Sequence, residues 1–320
     1  MKIAVTGSHG LIGSALIPQL SSAGHTVTRI VRGPARAGEV SWDPAAASLD
    51  AAALAGTDAV VHLAGVGIAD KRWNDSHRRA VTQSRVDGTR LIAQTLAKVD
   101  PRPSVLLSGS AIGFYGDRGA AELDEASASG TGFLADVCRQ WEQATAPAED
   151  AGIRVVHLRS GVVLTPAGGA LAKQLPLFRL GIGGRLGSGR QYVSWISLDD
   201  EVGAIQLALS TEALRGPVNL TAPQPVTNAE LASAIGHALG RPAVVPVPSF
   251  ALRIALGPQM ATEMLLVGAR VMPRALQRAG YRFEHPEVTG ALTALLPRRQ
   301  HPWRLGHRRP PVPPHRGGRG

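Results

Sequence analysis

The 320-residue sequence predicts an α/β protein built on a doubly wound parallel sheet. Three observations carry that prediction. Short apolar runs alternate with helix-length stretches. The first run passes straight into Gly7, Gly10 and Gly13 and then into a helical pattern. A second β-rich run, His25 to Val31, follows one helix later. In chain order the strand candidates are Lys2–Thr6, Thr26–Val31, Ala59–Leu63, Ser104–Ser108 and Val155–Leu158. Gly216-Pro-Val-Asn-Leu reads as one further strand, and Thr227-Asn-Ala-Glu-Leu as a capped helix start with an acid in its first turn. Residues 165–190 are rich in glycine and carry Arg179, Arg185 and Arg190, which marks an excursion from the sheet toward a substrate.

The glycine spacing has a chemical meaning in this context. A strand, a tight glycine turn and a helix N-terminus form a dinucleotide-binding arrangement, the Rossmann-like unit. Gly7 permits the turn, Gly10 admits a pyrophosphate to the backbone N–H groups, and Gly13 brings the helix close to the sheet. The segment Thr6, Gly7, Ser8, His9, Gly10, Leu11, Ile12 and Gly13 is therefore the expected phosphate site. Leu63, Ala64 and Gly65, at the end of the third strand, are expected to form the facing wall. NAD-preferring proteins place an acid at the end of the second strand for the ribose 2′-hydroxyl. Here the stretch is Ile30-Val31-Arg32-Gly33. Arg32, with Arg36 nearby, suits a 2′-phosphate, so NADP is the expected cofactor.

Composition narrows the remaining classes. The formal charge of +10 points to a polyanion partner, yet its location argues against one. Pro297 to Gly320 holds seven arginines and no acid, and without it the chain has 27 basic and 24 acidic residues. No specific nucleic-acid partner is expected; the tail reads as a disordered, dispensable extension. The apolar stretch from Phe250 to Met272 is interrupted by Arg253, Pro258, Glu263 and Arg270, so no membrane span is expected. One cysteine excludes an internal disulfide framework, and with a lone His62 it leaves no metal-ligand set. A cytoplasmic location is the expectation.

Longer motifs make a resemblance specific. They are Thr6-Gly7-x-x-Gly10-x-x-Gly13, His62-Leu-Ala-Gly65, Arg85-Val-Asp-Gly-Thr89, Ser108-Gly-Ser110 with Tyr115-Gly116, Leu158-Arg-Ser-Gly-Val-Val-Leu164 and Trp195-Ile-Ser-Leu-Asp-Asp200. Together they resemble an extended short-chain dehydrogenase/reductase, the superfamily of sugar-nucleotide epimerases. Within it the chain is most similar to the atypical, YfcH-type epimerase-family proteins. Their C-terminal domain of unknown function is matched by Leu256-Gly257, Gly268-x-Arg270-Val-Met-Pro273 and Gly280-Tyr-Arg-Phe283. The resemblance covers residues 1–296 and implies a Rossmann domain at 1–164, to which 191–225 return. The substrate-side region is then 165–190 plus 226–296, a smaller C-terminal α/β part, followed by the basic tail at 297–320.

The same resemblance exposes an altered active site. An ordinary member carries Tyr-x-x-x-Lys, whose phenolate moves a proton during hydride transfer. The corresponding stretch here is Gly132-Phe-Leu-Ala-Asp-Val-Cys-Arg-Gln-Trp-Glu142, where Leu134 and Cys138, or with a shift by one Phe133 and Val137, take the two slots. Arg85 stands where an asparagine is usual, and of the ordinary set a serine survives, Ser110. Tyr115 is either a replacement acid or a packing residue. Cys138 is either a thiolate activated by Arg85 or Arg139, or an inert buried thiol. Arg85 is either an anchor for an anionic substrate group or a helix-surface ion pair. Arg72 and Trp73 either line the substrate pocket or belong to a packed loop, and Arg185 and Trp195 are expected substrate contacts. Asp199-Asp200-Glu201 reads as a helix cap and first turn. The implied activity is an NADP-binding, epimerase-like oxidoreductase acting on a small molecule, in the relatives a nucleotide sugar. The competing reading is a non-catalytic regulator that senses NADP, linked through some relatives to cell division.

Overall fold

A computed structural model describes residues 1–296; the expectation for the basic tail lies outside the described residues. The strands are β1 (Lys2–Thr6), β2 (Thr26–Arg32), β3 (Glu39–Asp43), β4 (Ser48–Leu49), β5 (Ala59–His62), β6 (Val105–Ala111), β7 (Glu122–Leu123) and β8 (Arg154–Ser160). They continue with β9 (Val162–Leu164), β10 (Tyr192–Val193), β11 (Trp195–Ser197), β12 (Gly216–Leu220), β13 (Val226–Thr227) and β14 (Arg270–Val271). Eight of them form one sheet in the order β12-β8-β6-β5-β1-β2-β3-β4. Every pairing in it is parallel except β3 with β4.

Burial explains the sheet. Successive side chains of a strand point to opposite faces, so Ile3 and Val5 enter one apolar core while Ala4 enters the other. On the first face lie α1 (Leu11–Ser22) and, from later in the chain, Leu198–Ser210. On the second lies α2 (Asp75–Leu96), capped by the Asn74 side chain, which accepts from His77 N at 2.8 Å. Next come α3 (Phe133–Gln143), α4 (Ala146–Asp150), α5 (Gly169–Arg179), α6 (Leu198–Ser210) and α7 (Asn228–Leu239). Helix α7 starts as the sequence requires: Thr227 and Glu230 form a reciprocal capping box.

Two features depart from the sequence reading. β3 extends the sheet beyond β2, and the two-stranded pairs β9–β11, β10–β13 and β7–β14 lie outside it. These strands have two to five residues each, too short for periodicity to mark. The glycine-rich excursion also contains α5, whose Leu171, Leu175 and Phe178 join Leu231 and Ile235 of α7 in a third core. The C-terminal segment then folds back. Asp200, in the first turn of α6, accepts from Tyr281 Oη at 3.2 Å, Glu284 N at 2.7 Å and His285 N at 2.9 Å.

Candidate functional site

The chain reverses its direction of travel across the sheet between β1 and β5, which opens a crevice at their C-terminal ends. Thr6 closes its floor. Its hydroxyl accepts from Leu63 N at 3.0 Å and Ala64 N at 3.2 Å, and lies 2.7 Å from His62 Nδ1. With both lone pairs taken, that hydroxyl donates to Nδ1, so His62 is neutral with its proton on Nε2. Burial drives the imidazole down to about 4, which keeps it uncharged beneath the crevice.

The glycine loop fits a dinucleotide phosphate. Gly7 has φ +65°, and a side chain there would press on the Leu63 carbonyl. An added Cβ on Gly13 would sit 2.3 Å from Gly7 O, so only glycine lets α1 begin against the loop. Gly10 caps α1 without a side chain, and the first turn holds no acid. Its N–H groups therefore keep their positive potential for an anion. Leu11 and Ile12 contribute backbone there; their side chains pack away, Leu11 against Gly168 and Ile12 onto the core. The crevice encloses about 880 Å³ and is lined by Gly7, Ser8, His9 and Gly10, by Leu63, Ala64 and Gly65, and by Arg32 with Trp42 and Asp43. Arg32 is exposed at the end of β2. An acid the sequence reading did not foresee, Asp43, lines the crevice; its Oδ1 accepts from Ala45 N at 2.9 Å and Ala46 N at 3.2 Å within its own turn.

Beyond Gly65 lies a second cavity of about 580 Å³. Arg85 stands between the two. An added Cβ on Gly65 would be 3.3 Å from its Cζ, and its own side chain lines the second cavity. Nη1 donates to Val66 O at 2.9 Å and Val81 O at 3.2 Å, and the guanidinium lies 4.9 Å from the Trp141 ring centroid. Cys138 lines the same cavity and donates to Ala111 O at 3.6 Å. Burial, reinforced by Glu142, pushes its thiol up to about 12. Desolvation outweighs the pull of Arg85, which favours the inert buried thiol over the activated thiolate.

Ser110 and Tyr115 sit elsewhere. Ser110 Oγ donates to Glu142 Oε1 at 2.7 Å. The same carboxylate accepts from Arg159 Nε and Nη2, each at 2.8 Å. Arg159 Nη1 donates to Tyr115 Oη at 2.9 Å, and that hydroxyl donates to Asn219 Oδ1 at 2.7 Å. Tyr115 is fully buried, and burial raises its phenol above the usual value. Both residues belong to a satisfied polar network behind the cavity and are not among its lining residues. Tyr115 thus takes the packing alternative, and the surviving serine, Ser110, is committed to Glu142 rather than turned to the cavity. One signal for this network was legible: Glu142 lies one helical turn beyond Cys138, a charge on an apolar face.

The expected substrate contacts also move. Arg72 donates to Ile254 O at 3.2 Å from the surface, and Arg185 to Ser188 O at 2.7 Å within its own loop. Trp73 donates to Ile68 O at 2.9 Å and meets the Phe133 ring edge-on. Trp195 is buried in the third core. None of the four lines the cavity, because backbone acceptors and packing claim each side chain. Asp200 does act as the expected first-turn acid, with Ser197 as the N-cap, and it also holds the C-terminal segment. That clamp brings Asp199, Glu284 and His285 within 4.8 Å of one another, in a grouping whose two acids are exposed.

Glu201 sits in the expected first turn of α6, but the sequence gave no reason to expect its burial. It is fully buried, and its Oε1 lies 2.5 Å from Ser160 Oγ while Oε2 has no partner. Ser160 lines the second cavity. Burial raises the Glu201 carboxyl to about 8, which leaves it protonated near neutrality.

Against this geometry, the comparisons are decisive. Residues 3–220 match the NAD dependent epimerase/dehydratase family, and residues 247–295 match a domain of unknown function, DUF1731. The chain belongs to that epimerase family. It is 49% identical to the epimerase family protein MT2273 of Mycobacterium tuberculosis over 91% of this chain and 96% of the relative. It is 38% identical to the human epimerase family protein SDR39U1, covering 92% of this chain and all of that protein. The crystal structure of human SDR39U1 (isoform 2) with NADPH superposes with a TM-score of 0.86 at 38% identity, over 92% of this chain and 99% of that one. The Rossmann-like fold and the atypical short-chain dehydrogenase/reductase assignment follow. No helix of the described residues is long and apolar enough to cross a membrane.

Proposed function

We propose that this family member is an NADP(H)-dependent oxidoreductase whose chemistry takes place where the two cavities meet at Arg85. The observation that carries this reading is the crevice itself: an uncapped helix N-terminus behind a glycine loop, with an exposed Arg32 at the end of β2 and no acid at that strand end. In that crevice the first-turn N–H groups of α1 hold the pyrophosphate and Arg32 the 2′-phosphate. NADPH bound there supplies hydride to a carbonyl carbon. Arg85 then holds an anionic group of the substrate, and Ser160 replaces the missing tyrosine: its hydroxyl passes a proton to the oxygen while taking one from the protonated Glu201 carboxyl 2.5 Å away, which ends as the carboxylate. Cys138 stays a neutral thiol and shapes the wall.

Calorimetric titration with NADPH and NADH tests the cofactor reading. NADPH should bind more tightly, and Arg32→Ala should remove about 1.5–3 kcal/mol from NADPH binding while sparing NADH. Equal affinities in the wild type would overturn it. One observation favours a second reading, an NADP-sensing regulator without turnover: α3 offers Leu134 and a Cys138 thiol pushed up to about 12 where the ordinary tyrosine and lysine stand. Failure of a broad carbonyl panel to oxidise bound NADPH would select it.

A further inference from the structure

The lining of the second cavity combines apolar walls with a single cationic side chain. Its walls are apolar, formed by Ile112, Leu134, Val137, Trp141, Val162 and Leu231. Most of its polar side chains already serve the protein's own backbone. Gln191 Nε2 donates to Leu186 O at 3.0 Å and Leu265 O at 2.7 Å, and Asn228 Oδ1 accepts from Leu186 N at 2.7 Å. Ser194 bridges Ala269 O and Val271 N. Glu263 caps α3 by accepting from Leu134 N at 3.0 Å, with its other oxygen held by Gln259 Nε2 at 2.9 Å.

Arg85 is different. Among the described residues it is the one cation lining this cavity; it makes no salt bridge, and Asp70 acts on it only through space, from outside the cavity lining. Two backbone carbonyls engage Nη1, leaving Nε and Nη2 without a protein partner. A half-buried guanidinium facing an apolar cavity favours one opposite charge. A nucleoside diphosphate brings two phosphate charges. Here it would meet a single cation, together with the carboxylates of Glu263 and, at the rim, Asp117. The volume and apolar walls instead suit a compact ligand with a single polar end.

We infer that the second cavity takes a largely apolar carbonyl compound bearing one anionic group, of the aryl or alkyl oxo acid class, with that group on Arg85 and its apolar body against Leu134 and Val137. This inference rests on the reading of the protein as an NADP(H)-dependent oxidoreductase. The carboxylate accepts from the free edge of the guanidinium, which stacking on Trp141 holds in place. A sugar nucleotide is disfavoured by uncompensated charge.

The full-length protein, saturated with NADPH, is titrated by calorimetry with three probes: 2-oxo-4-phenylbutanoate, its neutral counterpart 4-phenyl-2-butanone, and UDP-glucose. The oxo acid should bind at least about tenfold more tightly than either of the others. Arg85→Met should cost the oxo acid tenfold or more and leave the neutral ketone within about threefold, while Arg85→Lys should restore part of the loss. Leu134→Trp, which fills the apolar end, should weaken both the oxo acid and the ketone. Circular dichroism and melting temperature establish that each variant is folded. Tighter binding of UDP-glucose, an oxo acid affinity indifferent to Arg85→Met, or no oxo acid binding to the NADPH-loaded protein would each overturn the inference. Loss of NADPH binding by the wild type is a separate result and strikes the cofactor reading instead.

Discussion

His62 and Glu201 show how burial alone rewrites the chemistry of single residues. His62 has a folded pKa of about 4 against an ordinary 6.5, so the unfolded chain binds the proton more readily. Its contribution is complete above about pH 6.5 and is lost as pH falls toward 4, an effect of about 3 kcal/mol. Glu201 works in the opposite direction. Its carboxyl is raised to about 8 from 4.5, so stability is unaffected below 4.5 and declines as pH rises through 8. Denaturant unfolding of Glu201→Gln should therefore show a gain over the wild type at pH 8.5 that vanishes at pH 4.5, of the order of 3–5 kcal/mol. A pH-independent difference between the two proteins would show that Glu201 is ionised in the fold. Cys138 offers an independent check, because it is the sole cysteine. With its thiol near 12, native protein at pH 8 should react with iodoacetamide about 10³-fold more slowly than a free thiol. Prompt native labelling would restore the thiolate alternative.

At the scale of elements, the turn into α1 is the most constrained in the chain. Gly13→Ala would place a methyl group 2.3 Å from Gly7 O, and the obstacle is backbone, which cannot swing aside as a side chain can. Loss of NADPH binding, with a fall in melting temperature, is the expected outcome. Unchanged binding would mean that the loop relaxes freely. The strand–glycine–helix sequence was legible because local chemistry dictates it: the turn needs glycine whatever surrounds it. The capping box of α7 was legible for the same reason, since Thr227 and Glu230 satisfy each other within one turn. Helix α3 was legible as a helix but not in its allegiances. Nothing local indicates that Glu142 pairs with Arg159 on β8, or that Glu263 caps the helix from residues far along the chain.

The whole molecule is held together by side chains that connect distant segments, and Asp200 is the clearest case. Its carboxylate accepts from Ser197, Tyr281, Glu284 and His285, which fastens the C-terminal segment to α6. Asp200→Ala should cost about 3–5 kcal/mol in denaturant unfolding, the range for breaking a buried hydrogen-bonded charge. It should also make the segment after residue 272 the first site of limited proteolysis. Wild-type resistance in the variant would show that packing by Leu276 and its neighbours suffices.

From its residues and their spacing alone, the chain declared the parallel α/β sheet, the glycine loop and the basic end of β2; its resemblance to a family added the missing Tyr-x-x-x-Lys. Each of the first three is set by contacts within a few residues or by a run of apolar side chains. Tertiary structure decided what those residues face. Ser110, Tyr115, Arg72, Trp73, Arg185 and Trp195 are all polar or aromatic groups near strand ends or in loops, and sequence cannot distinguish a side chain aimed at a ligand from one claimed by a backbone carbonyl or a buried carboxylate. Folding supplied those partners to all six, while Arg85 kept the free edge of its guanidinium toward the cavity. The physical reason is that a hydrogen-bonding group shows its function by the partner it lacks, and only the assembled fold determines which partners are present.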